Sequence, residues 1–145
     1  MRFVHFAVAA IATGALIGFM WPASADPLPM DQPITVNGID TACSGIGDAP
    51  KQDPRWAAYP IRVEFSNGGQ QYLSGAHITL SQGGKTLTSF DCSGAWVLFK
   101  VPAGNYKVSA TITDQPGAGE RSAMFSPPAT GQKRVIIDFP VKPNQ

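Results

Sequence analysis

The alternation of apolar and polar positions is clearest between Asp91 and Thr113. Tyr106, Val108, Ala110 and Ile112 alternate there with Lys107, Ser109, Thr111 and Thr113. A period of two sends successive side chains to opposite faces, the mark of a half-buried strand. Just upstream, Trp96, Leu98 and Val101 supply bulk on a first arm. Pro102-Ala103-Gly104-Asn105 between the arms has turn chemistry: Pro fixes φ and Gly tolerates positive φ. The stretch reads as strand, tight turn, strand, a hairpin at the centre of the fold. Val97 and Phe99 give the first arm a second apolar face. Either this strand is central and covered on both faces, or Phe99 contributes to a partner patch.

The same pattern continues on both sides. Ile61, Val63 and Phe65 alternate with Arg62, Glu64 and Ser66, and Asn67-Gly68-Gly69 after them is a hairpin signal. A second strand is expected near Gln71 to Ser81, with Ala76, Ile78 and Leu80 on one face and a bulge at Gly75. Gln82-Gly83-Gly84-Lys85 is another turn, and Thr86 to Phe90 a short strand. Downstream, Asp114 to Glu120 is a loop. Ser122 to Ser126 is a strand with Met124 or Phe125 inward, and Lys133 to Phe139 a last strand with Val135 and Ile137 together. Upstream, Ile34 to Ile39 reads as one short strand. Cys43 to Pro54 reads as a loop, and Pro54 to Ala58 as one helical turn carrying Trp56. Seven or eight short strands without an amphipathic helix describe an all-β, antiparallel β-sandwich of one domain. With no βαβ alternation, a parallel sheet is not expected.

Composition changes the picture at the N-terminus. Arg2, the apolar run Phe6 to Met20 and the small-x-small site Ala23-Ser24-Ala25 read as a secretory signal peptide cleaved after Ala25. The alternative is an uncleaved N-terminal anchor. The chain then divides into a signal peptide (1–25), a Pro/Gly-rich leader and loop (26–58), the sandwich (59–140) and a tail (141–145). Of the eleven Lys and Arg, Arg2 leaves with the signal, so ten remain against ten Asp and Glu. A net charge of zero offers no basic stripe for nucleic acid. No second hydrophobic span follows, so no stable membrane span is expected after cleavage, and the location is periplasmic or secreted.

An even pair of cysteines, Cys43 and Cys92, in an exported chain suggests one disulfide. In the chain-entropy model, closing a loop of that length stabilises by roughly 4 kcal/mol. The alternatives are a redox pair or a metal site, but no Cys-x-x-Cys is present, and two Cys with one His fall short of a zinc site.

Leu73-Ser74-Gly75-Ala76-His77-Ile78-Thr79-Leu80, then Gly94-Ala95-Trp96-Val97-Leu98, then Val101-Pro102-Ala103-Gly104-Asn105-Tyr106-Lys107-Val108 together resemble the carboxypeptidase regulatory-like domain family, of transthyretin-like (prealbumin-like) fold. That family's pattern is Gly-Ala-x-Val-x-Leu, Gly-x-Phe-x-Phe, Leu-Pro-Pro-Gly-x-Tyr-x-Val. Trp96 and Leu98 stand at its two Phe positions and Ala103 at its second Pro. The resemblance implies inward bulk at Trp96 and Leu98. It also extends to small stand-alone exported bacterial proteins of this type. The motif supplies turns and core residues, so it implies a fold and almost nothing of function. The transthyretin-like fold also hosts a hydrolase of 5-hydroxyisourate, which needs several histidines and a C-terminal Tyr-Arg-Gly-Ser. The ending Lys142-Pro143-Asn144-Gln145 speaks against that activity here.

Candidate chemistry is sparse. His77 is the one imidazole after the signal, on the strand face opposite Ala76, Ile78 and Leu80, and reads as a surface histidine. Asp48, Asp53 and Asp91 approach one another if the disulfide draws the 43–53 loop to Asp91, which would suit calcium, but no Asp-x-Asp-x-Asp spacing supports it. No metal or other cofactor is therefore assigned. Trp56, Tyr59 and Tyr72 lie beside strands and turns. Either they stack on sugar rings or Trp56 plugs one end of the sandwich. With Phe99 they form the candidate binding surface. The expected function is a non-enzymatic binding or structural module of the cell envelope acting through protein contacts. The alternatives are a carbohydrate-binding module using those aromatics and, remotely, a small hydrolase. The partner is then an envelope protein or a polysaccharide.

Overall fold

In a computed structural model, residues 26–68 and 71–140 are described. The expected signal peptide and C-terminal tail lie outside them. Among the described residues nine strands form: β1 (Pro33–Val36), β2 (Ile39–Ser44), β3 (Ile61–Ser66), β4 (Ala76–Gln82), β5 (Lys85–Cys92), β6 (Trp96–Lys100), β7 (Tyr106–Ile112), β8 (Arg121–Phe125) and β9 (Lys133–Asp138). They make two sheets, one ordered β1-β2-β6-β3-β9 and the other β5-β4-β7-β8. This is the all-β sandwich that the alternating pattern predicts.

The core lies between the sheets. β3 contributes Ile61, Val63 and Phe65; β6 contributes Val97 and Phe99; β4 contributes Ile78 and Leu80; β7 contributes Tyr106, Val108 and Ile112. Phe90 and Phe99 meet across the gap with ring centroids 6.0 Å apart, and Tyr106 stacks on Phe125 at 5.5 Å. Phe125, not Met124, is the inward residue of β8.

The connections depart from the sequence reading. β6 and β7 lie in different sheets, so Pro102 to Asn105 is a corner between layers and not a hairpin turn. Tyr106 fixes the corner by donating its hydroxyl to the Pro102 carbonyl at 2.8 Å, the device of a tyrosine corner. The Asn67-Gly68-Gly69 signal likewise precedes a crossing from β3 to β4 in the other sheet. A turn motif states only that the chain reverses; which sheet receives the next strand depends on partners far away. The Gly83-Gly84 turn does close the expected hairpin, β4 with β5, and the bulge lies at Leu80/Ser81 instead of Gly75.

The N-terminal segment is the larger correction. The expected single strand is a hairpin in which Asn37 and Gly38 (φ 51° and 80°) turn β1 into β2. Two successive positive φ values make a type I′ turn, for which Asn-Gly is the preferred pair. β2 then pairs with β6, so the five-stranded sheet begins at Pro33, well before residue 59. Even the leader is tied: the Leu28 N–H donates to the Asp91 carbonyl at 2.9 Å and the Asp31 N–H to the Cys43 carbonyl at 2.8 Å. Finally, β9 pairs with β3 in parallel, while the other strand pairs among the described residues are antiparallel.

The disulfide forms. Cys43 on β2 and Cys92 at the end of β5 join the two sheets, with S–S 2.01 Å and Cα–Cα 5.6 Å. Gly94 beside it admits no side chain, because a Cβ there would run into the Ser44 carbonyl oxygen.

Candidate binding site

Strand alternation fixes what lies on the outer face of the five-stranded sheet. With Val97 and Phe99 in the core, Trp96 and Leu98 point outward, the reverse of what the family pattern implies. Both are nonetheless buried. The chain from Gly45 to Tyr59 folds back over them through a one-turn helix (Asp48–Lys51) and a 3-10 turn (Pro54–Ala58). Trp56, Tyr59, Ala42 and Leu98 form a second apolar cluster under this cover. The Trp56 indole N–H donates to the Pro50 carbonyl at 2.8 Å, and the Gln132 amide donates to the carbonyls of Trp56 and Tyr59. Burial also pushes the Tyr59 phenol above its ordinary pKa.

Burial removes Trp56, Tyr59 and Phe99 from the candidate surface. Trp56 and Tyr59 cover the sheet, and Phe99 is fully enclosed between the layers. β6 is thus central and covered on both faces. Tyr72 alone of the four is exposed, at 45 %.

Tyr72 stands where the cover stops. The parallel β3/β9 register sets Arg62 beside Arg134 and Glu64 beside Ile136. Glu64 is only 1 % exposed, and a carboxylate so buried requires partners. Arg134 Nε donates to Glu64 Oε2, and Arg62 Nε lies 3.2 Å from Oε1 as an ion pair. Hydrogen bonding to Glu64 holds the Arg134 guanidinium above its ordinary pKa. Arg62 also lies over the Trp96 ring, 4.3 Å from its centroid. The other end of Arg134 donates to the Tyr72 hydroxyl at 3.1 Å, and Lys51 from the cover approaches the Tyr72 ring to 5.2 Å. The result is a cleft of about 430 Å³ lined by Ser66, Gln71, Tyr72, Arg134, Ile136 and Asp138. It offers an aromatic ring, an exposed aliphatic side chain, guanidinium and amide donors and a carboxylate acceptor.

The three aspartates do not assemble. Asp53 accepts from the backbone N–H and guanidinium of Arg55, whose side-chain hydrogen bonds hold its carboxyl below the usual range. Asp91 pairs with His77 at 2.6 Å, and Asp48 opens the short helix. Among the described residues no three His, Cys, Asp or Glu side chains are grouped to hold a metal ion. His77 is exposed on the outer face of the four-stranded sheet, as its place opposite Ile78 predicts.

Glu64 and Arg134 went unsuspected in the sequence. Glu64 sits at a polar position of the alternating strand Ile61 to Phe65, where a solvated carboxylate and a buried one look alike in the sequence. Its partner is 70 residues away, and only the parallel pairing of β9 brings it near.

No family model matches the chain, and no curated protein matches it. Among solved structures, Klebsiella pneumoniae 5-hydroxyisourate hydrolase is similar at TM-score 0.41 and 15 % identity, over 55 % of this chain and 84 % of that one.

Proposed function

We propose that this chain is an exported binding module whose working surface is the Tyr72 cleft, and that its ligand is a sugar unit of an envelope polysaccharide. The observation that carries the reading is the orientation of Tyr72: an exposed aromatic ring anchored through its hydroxyl by Arg134, which Glu64 in turn holds rigid. A ring held in place meets a sugar face at little conformational cost. Sugar hydroxyls both donate and accept, and the cleft answers with Arg134 and Gln71 as donors and Asp138 as acceptor. Export agrees with the disulfide, which persists in oxidising compartments. The implied transthyretin-like family membership agrees with the two-sheet topology and leaves the ligand open.

The test is a glycan array followed by calorimetric titration of the hits. A saccharide should bind at millimolar concentration or tighter, and Tyr72→Ala should weaken it by about tenfold or more, the effect of losing one aromatic contact. No saccharide bound at millimolar concentration would overturn the reading.

A further inference from the structure

The outer face of the four-stranded sheet carries a different chemistry. In the β4/β5 register His77 stands opposite Asp91 and Thr79 opposite Ser89. The Asp91 carbonyl accepts from Leu28, on the side of β5 away from β4. Alternation along β5 then makes both pairs non-hydrogen-bonded pairs, whose side chains stand closest together. Asp91 Oδ1 lies 2.6 Å from His77 Nδ1, and Ser89 Oγ lies 3.0 Å from His77 Nε2. The carboxylate accepts the Nδ1–H and leaves the Nε2 lone pair for the serine proton. This order, carboxylate to imidazole to hydroxyl, is that of a Ser-His-Asp relay, which is recognised by geometry and not by sequence position.

From this arrangement we infer a second activity, independent of the Tyr72 cleft: Ser89 is a nucleophile toward carboxylic esters, with His77 as its general base and Asp91 as the positioning residue. Ser89 Oγ attacks the acyl carbon while its proton passes to His77 Nε2. The ester C–O bond breaks, and the departing alkoxide takes that proton and leaves as an alcohol. Water then attacks the acyl-serine, His77 takes its proton and returns it to Ser89 Oγ, and the acid leaves. The balance is ester plus water giving acid plus alcohol.

The surroundings define the substrate class. Ser89, Thr79, Ser109 and Ser122 stand in one row across all four strands, with Ser109 the buried member between its exposed or half-buried neighbours. A pleated face of this kind cannot enclose a small molecule. It can lie along a hydroxyl-bearing polymer and reach an O-acyl group projecting from it. Alternation also sends the Ser89 backbone N–H toward the β5 edge, where it supplies one oxyanion donor. Each further donor is worth about 10²–10³ in rate, so acylation is slow and deacylation slower. Covalent capture is therefore a better readout than turnover.

The full chain is treated with a fluorophosphonate, in which Ser89 Oγ displaces fluoride from phosphorus, and the adduct is mapped by mass spectrometry. One adduct on Ser89 is expected, together with a burst of one p-nitrophenol per chain from p-nitrophenyl acetate. His77→Ala should slow labelling about a hundredfold, the contribution of a general base. Asp91→Asn should slow it less, and Asp91→Glu should recover part of the rate, which loss of packing alone would not. Matching thermal midpoints and disulfide-intact masses show that the variants fold. Tyr72→Ala should label at the wild-type rate, so this test and that of the cleft fail separately. Absence of a Ser89 adduct at millimolar reagent, or equal labelling of wild type and His77→Ala, overturns the inference.

Discussion

The outer faces of the two sheets follow the same strand alternation and end in opposite states. On the five-stranded sheet, the outward residues of β6 and of β3 beside it are Trp96, Leu98, Arg62 and Glu64, and the segment from Gly45 to Tyr59 folds back over most of them. On the four-stranded sheet they are His77, Thr79, Ser89, Ser109 and Asp91, all polar: His77 and Ser89 are exposed, Thr79 and Asp91 half-buried, and Ser109 is buried among its neighbours. The physical distinction is what each face would lose in water. Trp96 and Leu98 left bare would forfeit about 25 cal/mol per Å² of apolar surface, so that sheet recruits its own chain as a lid. Hydroxyls and an ion pair lose little by staying wet. One face is therefore structural, with a cleft at the margin of its cover, and the other presents polar side chains.

The comparison can be broken at several points. Removing the link between the sheets should have the largest effect: Cys43→Ala with Cys92→Ala should lower unfolding stability by about 4 kcal/mol in denaturant titration. An unchanged midpoint would show that the sheets hold together without the link. Next, Trp56→Ala should cost about 3 kcal/mol by opening the cover, whereas Ser89→Ala on the other face should stay within about 0.5 kcal/mol. Equal losses would erase the distinction between the faces.

Arg134→Ala should cost about 1.5 kcal/mol, the loss of one charged hydrogen bond to the buried Glu64, at the low end because half of Arg134 already faces water. Adding Glu64→Gln should recover part of that, since the neutral amide tolerates burial better; a further loss would show that Arg62 already satisfied the carboxylate alone.

The smallest effects are in pH. The Tyr59 phenol is raised by burial, so its contribution is complete below its unfolded value near 10 and is lost as pH rises through the folded value. Tyr59→Phe should flatten that alkaline decline in thermal melts. Asp53 runs the other way. Arg55 lowers its carboxyl, so its small contribution is present above about 4 and fades as pH falls through the folded value. Asp53→Asn should make the acid limb slightly shallower, and an unaltered limb would show that the exposed pair contributes nothing.

Legibility followed the range of the interaction. Alternation placed the strands around Ile61 to Phe65 and Tyr106 to Ile112 correctly, and the last strand, expected over Lys133 to Phe139, runs over Lys133–Asp138, because period two is a property of neighbours. The Asn37-Gly38 turn was equally local and went unread, because the flanking run Ile34 to Ile39 is short enough to pass for one strand. The faces of β6 were inverted for a different reason. All four residues Trp96 to Phe99 are apolar, so their periodicity cannot say which pair faces the other sheet. The Tyr72 cleft was half legible: an aromatic beside a turn is visible, but its anchor Arg134 is supplied by a parallel strand that no local signal announces.

By itself the sequence determined that this chain makes short strands, joins two cysteines and builds a sandwich, since each follows from local periodicity or from an even count. The tertiary structure alone decided that Pro102 to Asn105 turns between sheets, that Trp56 and Tyr59 serve as cover, and that Glu64 meets Arg134. It alone also brought Asp91, His77 and Ser89 into one line. These are pairings between strands distant in the chain, fixed by which apolar faces must be buried together, and no stretch of sequence carries that information alone.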